Sequence, residues 1–493
     1  MTDTFPRQYA RTQRLTLGEP RTITVSPDGK RVLFLRSTNG TDTVQSLWLL
    51  HVERNTEVCI ADVRELLAAS EGHTESAEEQ ARRDRAREGA GGIVQYSCDA
   101  EVQHVAFAVA GHLFVCDMQH ANEIVIKNPA SGTIYDARIS PDAQHVAYVR
   151  DRSLYMCDLQ GVERCLASDE SPDVTWGIAE FVAAEEMNRQ RGFWWAPDSS
   201  ALAVERADNS PIQSILIADP AQPTSNPSSR RYPFAGTANA LVSLHLVAIS
   251  GTRTEVKWDS AAFEYLTSVQ WNMHGLVISV MSRDQRILDI RAVDISSGQT
   301  NSLHTEHDEC WVELVAGGPS LLENGMLMWC GERNGVRAIV VNNDFITPSH
   351  LQVRSIVRAS HDNIIFSANN VQRPQELHVF SVQISGGEVT QLSDGIGIHS
   401  ATVGGETTVL RSATLETRRS RTLVNNHHQL ANHAEEPLIG TNVSLHSVGP
   451  RGIATAVVLP ENHDGSMLPV LFDPYGGPHA QRVLSASGAY LAS

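Results

Sequence analysis

One tight turn, recurring between short apolar runs, constrains this chain more than any other feature. Ile23-Thr24-Val25 runs into Ser26-Pro27-Asp28-Gly29 and restarts as Val32-Leu33-Phe34. Proline presets φ at the second turn position, and aspartate and glycine accept the positions after it. The unit returns at Val94-Gln95-Tyr96-Ser97-Cys98-Asp99 and, more closely, at Ala137-Arg138-Ile139-Ser140-Pro141-Asp142, each followed by a fresh apolar run. A fourth copy, Trp195-Ala196-Pro197-Asp198, precedes Ala201-Leu202-Ala203-Val204. Residue 98 to residue 141 is 43 residues, inside the roughly 40–45 residues of a four-stranded propeller blade. Further on, Val269-Gln270-Trp271-Asn272 and Asn363-Ile364-Ile365-Phe366-Ser367 keep the strand pattern without the turn signature. These repeats predict a mainly β chain built as a seven- or eight-bladed β-propeller.

Composition narrows the function. A chain of 493 residues with 41% hydrophobic residues buries a large core. Its net charge of -18 argues against nucleic acid as a partner, because displacing phosphate counterions needs a basic stripe. Met1-Thr2-Asp3-Thr4-Phe5-Pro6-Arg7 has no apolar run behind it and no later stretch approaches a membrane span, so the expectation is a soluble, cytoplasmic protein with no membrane partner. Seven scattered cysteines without a C-x-x-C pair read as small buried hydrophobes in a reducing compartment. His427, His428 and His433 lack helical spacing and a thiolate or carboxylate set, so they read as linker histidines. No metal or other cofactor is expected. Residues 63–88, rich in helix formers and opposed charges, predict an exposed helix inserted in a blade.

A second insertion, between the third and fourth turns, reads Gly177-Ile178-Ala179-Glu180-Phe181-Val182-Ala183-Ala184-Glu185-Glu186-Met187-Asn188-Arg189-Gln190-Arg191-Gly192-Phe193-Trp194-Trp195. It predicts a short helix between two strands. Adjacent helical side chains diverge by about 100°, but at a helix end Glu185 and Glu186 converge on one small cation. A primary ammonium relieves the repulsion of two carboxylates held together. On pattern alone an exposed helix, with Arg189 or Gln190 as partners, is the better account of the pair.

Towards the C-terminus, Asn442-Val443-Ser444-Leu445-His446-Ser447-Val448 and Ile453-Ala454-Thr455-Ala456-Val457-Val458-Leu459 flank Gly449-Pro450-Arg451-Gly452 as a hairpin. Leu468-Pro469-Val470-Leu471-Phe472-Asp473 then predicts a buried strand that leads into Pro474-Tyr475-Gly476-Gly477-Pro478-His479. Glycines after such a strand let a backbone pass close to a ligand.

Residues 173–198 resemble the double-glutamate motif of the dipeptidyl peptidase IV family, in the prolyl oligopeptidase clan of serine peptidases. Tyr475-Gly476-Gly477-Pro478-His479-Ala480-Gln481-Arg482-Val483 is similar to that family's tyrosine-glycine-glycine-proline segment. The resemblance implies that Glu185 and Glu186 hold a substrate's free N-terminal amine, and that Tyr475 stabilises the oxyanion. The chain departs from the family pattern at Pro474, where an aliphatic residue is usual. It also implies three parts: a lead-in over 1–21, a propeller over 22–430, and the first strands of an incomplete α/β-hydrolase peptidase domain over 431–493. An arginine of the 82–87 stretch is the family-inspired candidate for contact with the substrate.

Acyl transfer in this clan requires a G-x-S-x-G elbow followed by Asp and His, and the sequence contains no such elbow. The expected function is therefore substrate recognition for release of N-terminal dipeptides, Xaa-Pro preferring in an intact enzyme, with this chain inactive alone. Its expected partners are peptides with a free N-terminus and a complementing hydrolase domain, and the sequence leaves room for a homodimer. The reading from another class is a non-catalytic propeller that binds peptides or proteins.

Overall fold

The Ser-Pro-Asp turn forms because its own side chains satisfy its backbone. In the first copy the Ser26 hydroxyl donates to Asp28 Oδ1 (2.5 Å) and accepts from the Arg31 amide (3.0 Å), while Asp28 accepts from the Lys30 amide (3.0 Å). Gly29 takes φ +71°, which costs glycine little. Ser140 and Asp142 repeat the arrangement, with Ser140 Oγ on Asp142 Oδ1 at 2.5 Å and the His145 amide on Ser140 Oγ at 3.0 Å. Each turn sends the chain back antiparallel to the strand before it, and four such passes make a blade.

The computed structural model describes residues 3–68, 79–80, 89–118, 124–127, 132–224, 226–477 and 480–491. It shows an eight-bladed β-propeller. Blade 1 comprises Arg21–Val25, Arg31–Ser37, Val44–His51 and Thr56–Ala61 in that order. Blades 2 and 3 begin at Ser97–Cys98 and Tyr135–Ile139, blade 4 at Val174–Trp176, and blades 5 to 8 at Tyr265–Asn272, Ser320–Leu321, Leu351–Ala359 and Ile398–Gly404. Gly91–Gly92 adds to blade 1 in parallel, and a separate hairpin, Ser214–Ile217 with Ser228–Arg231, extends from blade 4. No helix among the described residues is long and apolar enough to cross a membrane.

Most blades bury apolar side chains against their neighbours, so the core is divided among the seams between blades. Leu33, Leu35 and Leu47 of blade 1 pack on Val105 and Phe107 of blade 2, and Ala147 and Leu154 of blade 3 on Phe193 and Val204 of blade 4. Ile339 and Val341 of blade 6 pack on Val353 and Phe366 of blade 7. The ring closes where Val25, Val32, Phe34 and Leu50 of blade 1 meet Val409 and Val424 of blade 8. There the Thr407 hydroxyl donates to the Gly29 carbonyl at 2.7 Å. Between blades 7 and 8 the contact is more polar: the imidazoles of His378 and His399 stack at 5.1 Å.

Residues beyond the last blade still pack on the first. Leu430 is buried in the closing seam, and the His433 amide donates to the Gly18 carbonyl at 2.8 Å. Gln8 of the helix Phe5–Arg11 donates to Glu435 (2.9 Å) and to the Glu436 carbonyl (2.8 Å). The expected hairpin is present as Asn442–Val448 with Ile453–Leu459.

Three sequence expectations are corrected or fall outside the description. Leu468-Pro469-Val470-Leu471-Phe472-Asp473 is neither a strand nor buried: Leu471 and Phe472 are 88% and 85% exposed. A core strand needs hydrogen-bonding neighbours and covered faces, and the described residues supply neither around it. Cys165 and Cys310 are exposed, unlike buried Cys116 and Cys157, because they lie at a blade rim and in a loop and not in a seam. Of the expected helix in 63–88, Val63–Ala68 forms and residues 79–80 are helical; Arg82, Arg83, Arg85 and Arg87 lie outside the described residues.

Phe34 is fully buried in the closing seam, so Phe34→Ala is expected to cost about 3–5 kcal/mol. Urea unfolding of the two proteins checks this; a cost below about 1 kcal/mol would mean the ring does not depend on that seam.

Candidate functional site

Blade 4 has an interrupted innermost strand. Val174, Thr175 and Trp176 pair with Asp208, Ala207 and Arg206, and after an excursion Phe193, Trp194 and Trp195 pair with Val204, Ala203 and Leu202. The break falls opposite a single residue, Glu205. Its carbonyl accepts from the Gly177 amide (2.9 Å) and its amide donates to the Gly192 carbonyl (2.8 Å). Residues 177–192 therefore leave and rejoin one strand line. Their neck is narrow: Ile178 bridges Arg191, Gly177 has φ +78°, and a Cβ on Gly192 would lie 2.3 Å from the Gly177 carbonyl carbon. Only glycine lets the two backbone passes come so close.

The excursion carries a six-residue helix, Phe181–Glu186. Glu180 caps it, its carboxylate accepting from the Val182 and Ala183 amides at 2.6 Å each. The Glu180 amide donates to Glu205 Oε1 at 2.8 Å. Glu205, fully buried, is ion-paired with Arg189 at 2.5 Å, and Arg189 donates to the Leu266 carbonyl of blade 5 (2.9 Å) and to the Arg191 carbonyl (2.8 Å). Val182 and Met187 pack against Tyr265, Met281, Leu288 and Val312. The helix is thus fixed to blades 4 and 5 at both ends, by one buried acid and one buried base.

Glu185 and Glu186 are the last two helical residues, and both are exposed. No basic residue occupies that turn. Acids there face the carbonyl end of the helix, where the sign of the dipole is unfavourable for them. Of the partners open on sequence grounds, Arg189 turns to Glu205, and Gln190 donates to the Ala184 carbonyl at 2.7 Å. Phe181, one helical turn before Glu185, packs edge-on against Tyr232 at 5.3 Å, and Tyr232 against Phe234 at 4.8 Å.

Tyr475 lies elsewhere, on the extended C-terminal segment, 43% exposed, with the Arg482 guanidinium 5.8 Å from its ring centroid. No described hydrogen bond or ion pair joins it to Glu185 or Glu186. Among the described residues no group of three or more His, Cys, Asp or Glu is placed to hold a metal ion. Sequence reasoning missed Glu180, Glu205 and Arg189 as the parts that fix the helix. The pair of glycines at 177 and 192, bracketing the helix, was the available signal.

Residues 93–413 match the family model described as the dipeptidyl peptidase IV (DPP IV) N-terminal region, and the chain belongs to that family. It is 32% identical over 93 residues to dipeptidyl peptidase 8 of Mus musculus, a match covering 17% of this chain and 10% of the mouse protein. A protein of Neosartorya fischeri named as a dipeptidyl peptidase 4 is 24% identical over 437 residues, covering 77% of this chain and 56% of that one. At most, then, the match with these curated relatives reaches little more than half of their length. The crystal structure of Porphyromonas gingivalis dipeptidyl peptidase 4 superposes with a TM-score of 0.75 at 17% identity, over 97% of this chain and 70% of that one. That likeness is one of fold.

Burial, with the nearby Glu205 charge adding to it, pushes the Glu180 carboxyl from 4.5 up to about 6. Because the folded value lies above the ordinary one, the native state keeps a proton that the unfolded state loses between pH 4.5 and about 6. This group's contribution to stability is therefore fullest below pH 4.5 and falls as pH rises through 6. Glu180→Gln removes that fall, so the variant should gain on the wild type by about 2 kcal/mol across the window. Denaturant unfolding of both proteins at a series of pH values reads the difference; parallel curves would mean Glu180 titrates normally.

Proposed function

We propose that Glu185 and Glu186 anchor the free N-terminal ammonium of a peptide, and that this chain is the recognition part of a peptidase that releases N-terminal dipeptides. The observation that carries this is the placement of two exposed carboxylates, side by side in sequence, at the unfavourable end of a helix that a broken inner strand projects from blade 4. A cation between them offsets both their mutual repulsion and the helix dipole. The rigid mounting through Arg189 and Glu205 fixes where that cation sits, and a fixed anchor sets how many residues separate the amine from the bond that is cut. Family membership supports the same reading. Tyr475 takes the oxyanion-stabilising position within a complete hydrolase domain. Preference for proline at the second substrate position belongs to that complete enzyme.

Glutamine at either position keeps the shape and removes a charge. In the chain joined to a family hydrolase domain, Glu185→Gln and Glu186→Gln should each lower kcat/KM for a free dipeptide amide by about tenfold to over a hundredfold, the worth of one charged hydrogen bond. An N-acetylated substrate should be equally poor with wild type and variants. Equal turnover of free and acetylated substrates by the wild type would remove the anchor role and, with it, the reading as a dipeptide-releasing peptidase.

The chain by itself, lacking a G-x-S-x-G elbow, should not release the chromophore from a dipeptide linked to a chromogenic amine. Turnover that a serine-directed covalent inhibitor abolishes would show a nucleophile outside the expected motif.

A further inference from the structure

Blades 7 and 8 meet at a backbone joint. The Leu377 amide donates to the Gly397 carbonyl (3.0 Å), and the His399 amide donates to the Leu377 carbonyl (2.9 Å). Beside this joint stack the imidazoles of His378, on the third strand of blade 7, and His399, on the inner strand of blade 8, with 25° between their planes. They are 8% and 1% exposed.

Their partners select one protonation state. Nε2 of His399 faces the Gly395 carbonyl (3.3 Å), and Nε2 of His378 faces the Glu376 carboxylate (3.2 Å). Both partners accept, so each Nε2 carries the ring hydrogen and each Nδ1 is left as an acceptor. The Gln391 amide then donates to Nδ1 of His378 (3.2 Å), and the Ser412 hydroxyl to Nδ1 of His399 (2.8 Å). The neutral pair is thus satisfied on both rings.

A second proton on His399 has to sit on Nδ1, where it would bury a charge against a hydroxyl and a stacked imidazole. The charged groups around the pair do not meet it. Glu376 is bonded to His378, with Arg373 a further 3.9 Å away; Asp394 is exposed; and Arg411, beside Ser412, is held by Glu19 at 2.7 and 3.0 Å. Burial, and next the neighbouring His378, hold the His399 pKa below 6.5 against the Gly395 carbonyl, Asp394 and Glu376.

The same joint carries the end of the chain. The Ser485 amide donates to the Gln375 carbonyl (2.8 Å), and Ser487 donates through its amide to the Thr414 carbonyl (3.0 Å) and through its hydroxyl to the Thr417 carbonyl (2.6 Å). Gln375 directly precedes Glu376, and Thr414 follows Ser412 by two residues. The two stretches that hold the imidazoles therefore also hold Ser485 and Ser487, both of which are buried.

We propose that the stacked pair His378–His399 is an acid-sensitive latch: protonation of His399 opens the joint between blades 7 and 8 and releases residues 485–491 from both. The opened joint accepts a proton that the closed joint resists, so opening gains as pH falls below 6.5, by up to about tenfold per pH unit. The latch does not depend on what Glu185 and Glu186 bind.

Hydrogen exchange of the full chain tests this, at about pH 7.5 and about pH 5 and constant ionic strength, with rates corrected for the intrinsic pH dependence of exchange. The amides of Leu377, His399, Ser485 and Ser487 should lose protection by about tenfold or more at the lower pH, while the strands Arg31–Ser37 and Val44–His51 of blade 1 keep theirs. His399→Gln, which retains a donor and an acceptor but does not titrate, should remove the loss. Ser412→Asp, which sets a carboxylate against Nδ1, should shrink or reverse it and covers the case in which His399→Gln does not fold. Equal protection at the two pH values, a loss shared by blade 1, or an undiminished loss in a folded variant would overturn the proposal.

Discussion

Each blade of this protein is a sheet that packs against its neighbours, and no blade covers both of its own faces. The fold therefore depends on ring closure, in which each face finds the next blade and the last finds the first. The burial of Phe34, Val409 and Val424 in one cluster is where that condition is met, because the residues involved stand at opposite ends of the propeller sequence. Leu430 and the residues that follow it tie the exit of the propeller back to its entrance. Stability of this kind is shared among seams, each resting on buried apolar area.

Closure also fixes the site. A helix of six residues has too few hydrogen bonds to hold itself in water, so its position must come from outside. Here it comes from Glu205, a buried acid at the one place where the inner strand of blade 4 is interrupted, together with Arg189 and the Glu180 cap. Buried ion pairs add little net stability but are costly to break on one side, which suits a pair that specifies position. Carboxylates mounted in this way keep a defined place relative to the blades.

Much of the fold was legible because it is local. The Ser-Pro-Asp turns carry their hydrogen-bond partners within five residues, so blades 1, 3 and 4 could be read from sequence. Blades 5 to 8 could not be counted with certainty, since their inner connections lack that signature and their pairing is set by neighbouring strands. Glu185 and Glu186 were legible as a pair; Glu205, which positions them, was not, because its partnership with Arg189 forms only once the chain has left the strand and returned. The apolar run at 468–473 misled for a related reason. Periodicity cannot tell a core strand from an extended apolar segment, and the difference lies in neighbours that the run itself does not encode.

The interruption opposite Glu205 is neutral to register: residues 176 and 193 resume the ladder on 206 and 204, as though nothing stood between them. An inserted loop that begins and ends on one rung can change length or content without sliding any strand against its neighbour. The register of the blade is thereby independent of the insertion, although the place of the insertion still depends on the blade through Arg189 and Glu205. A different sequence at 178–191 would then leave the strand register of blade 4 unchanged, provided that it kept an arginine to pair with the buried Glu205.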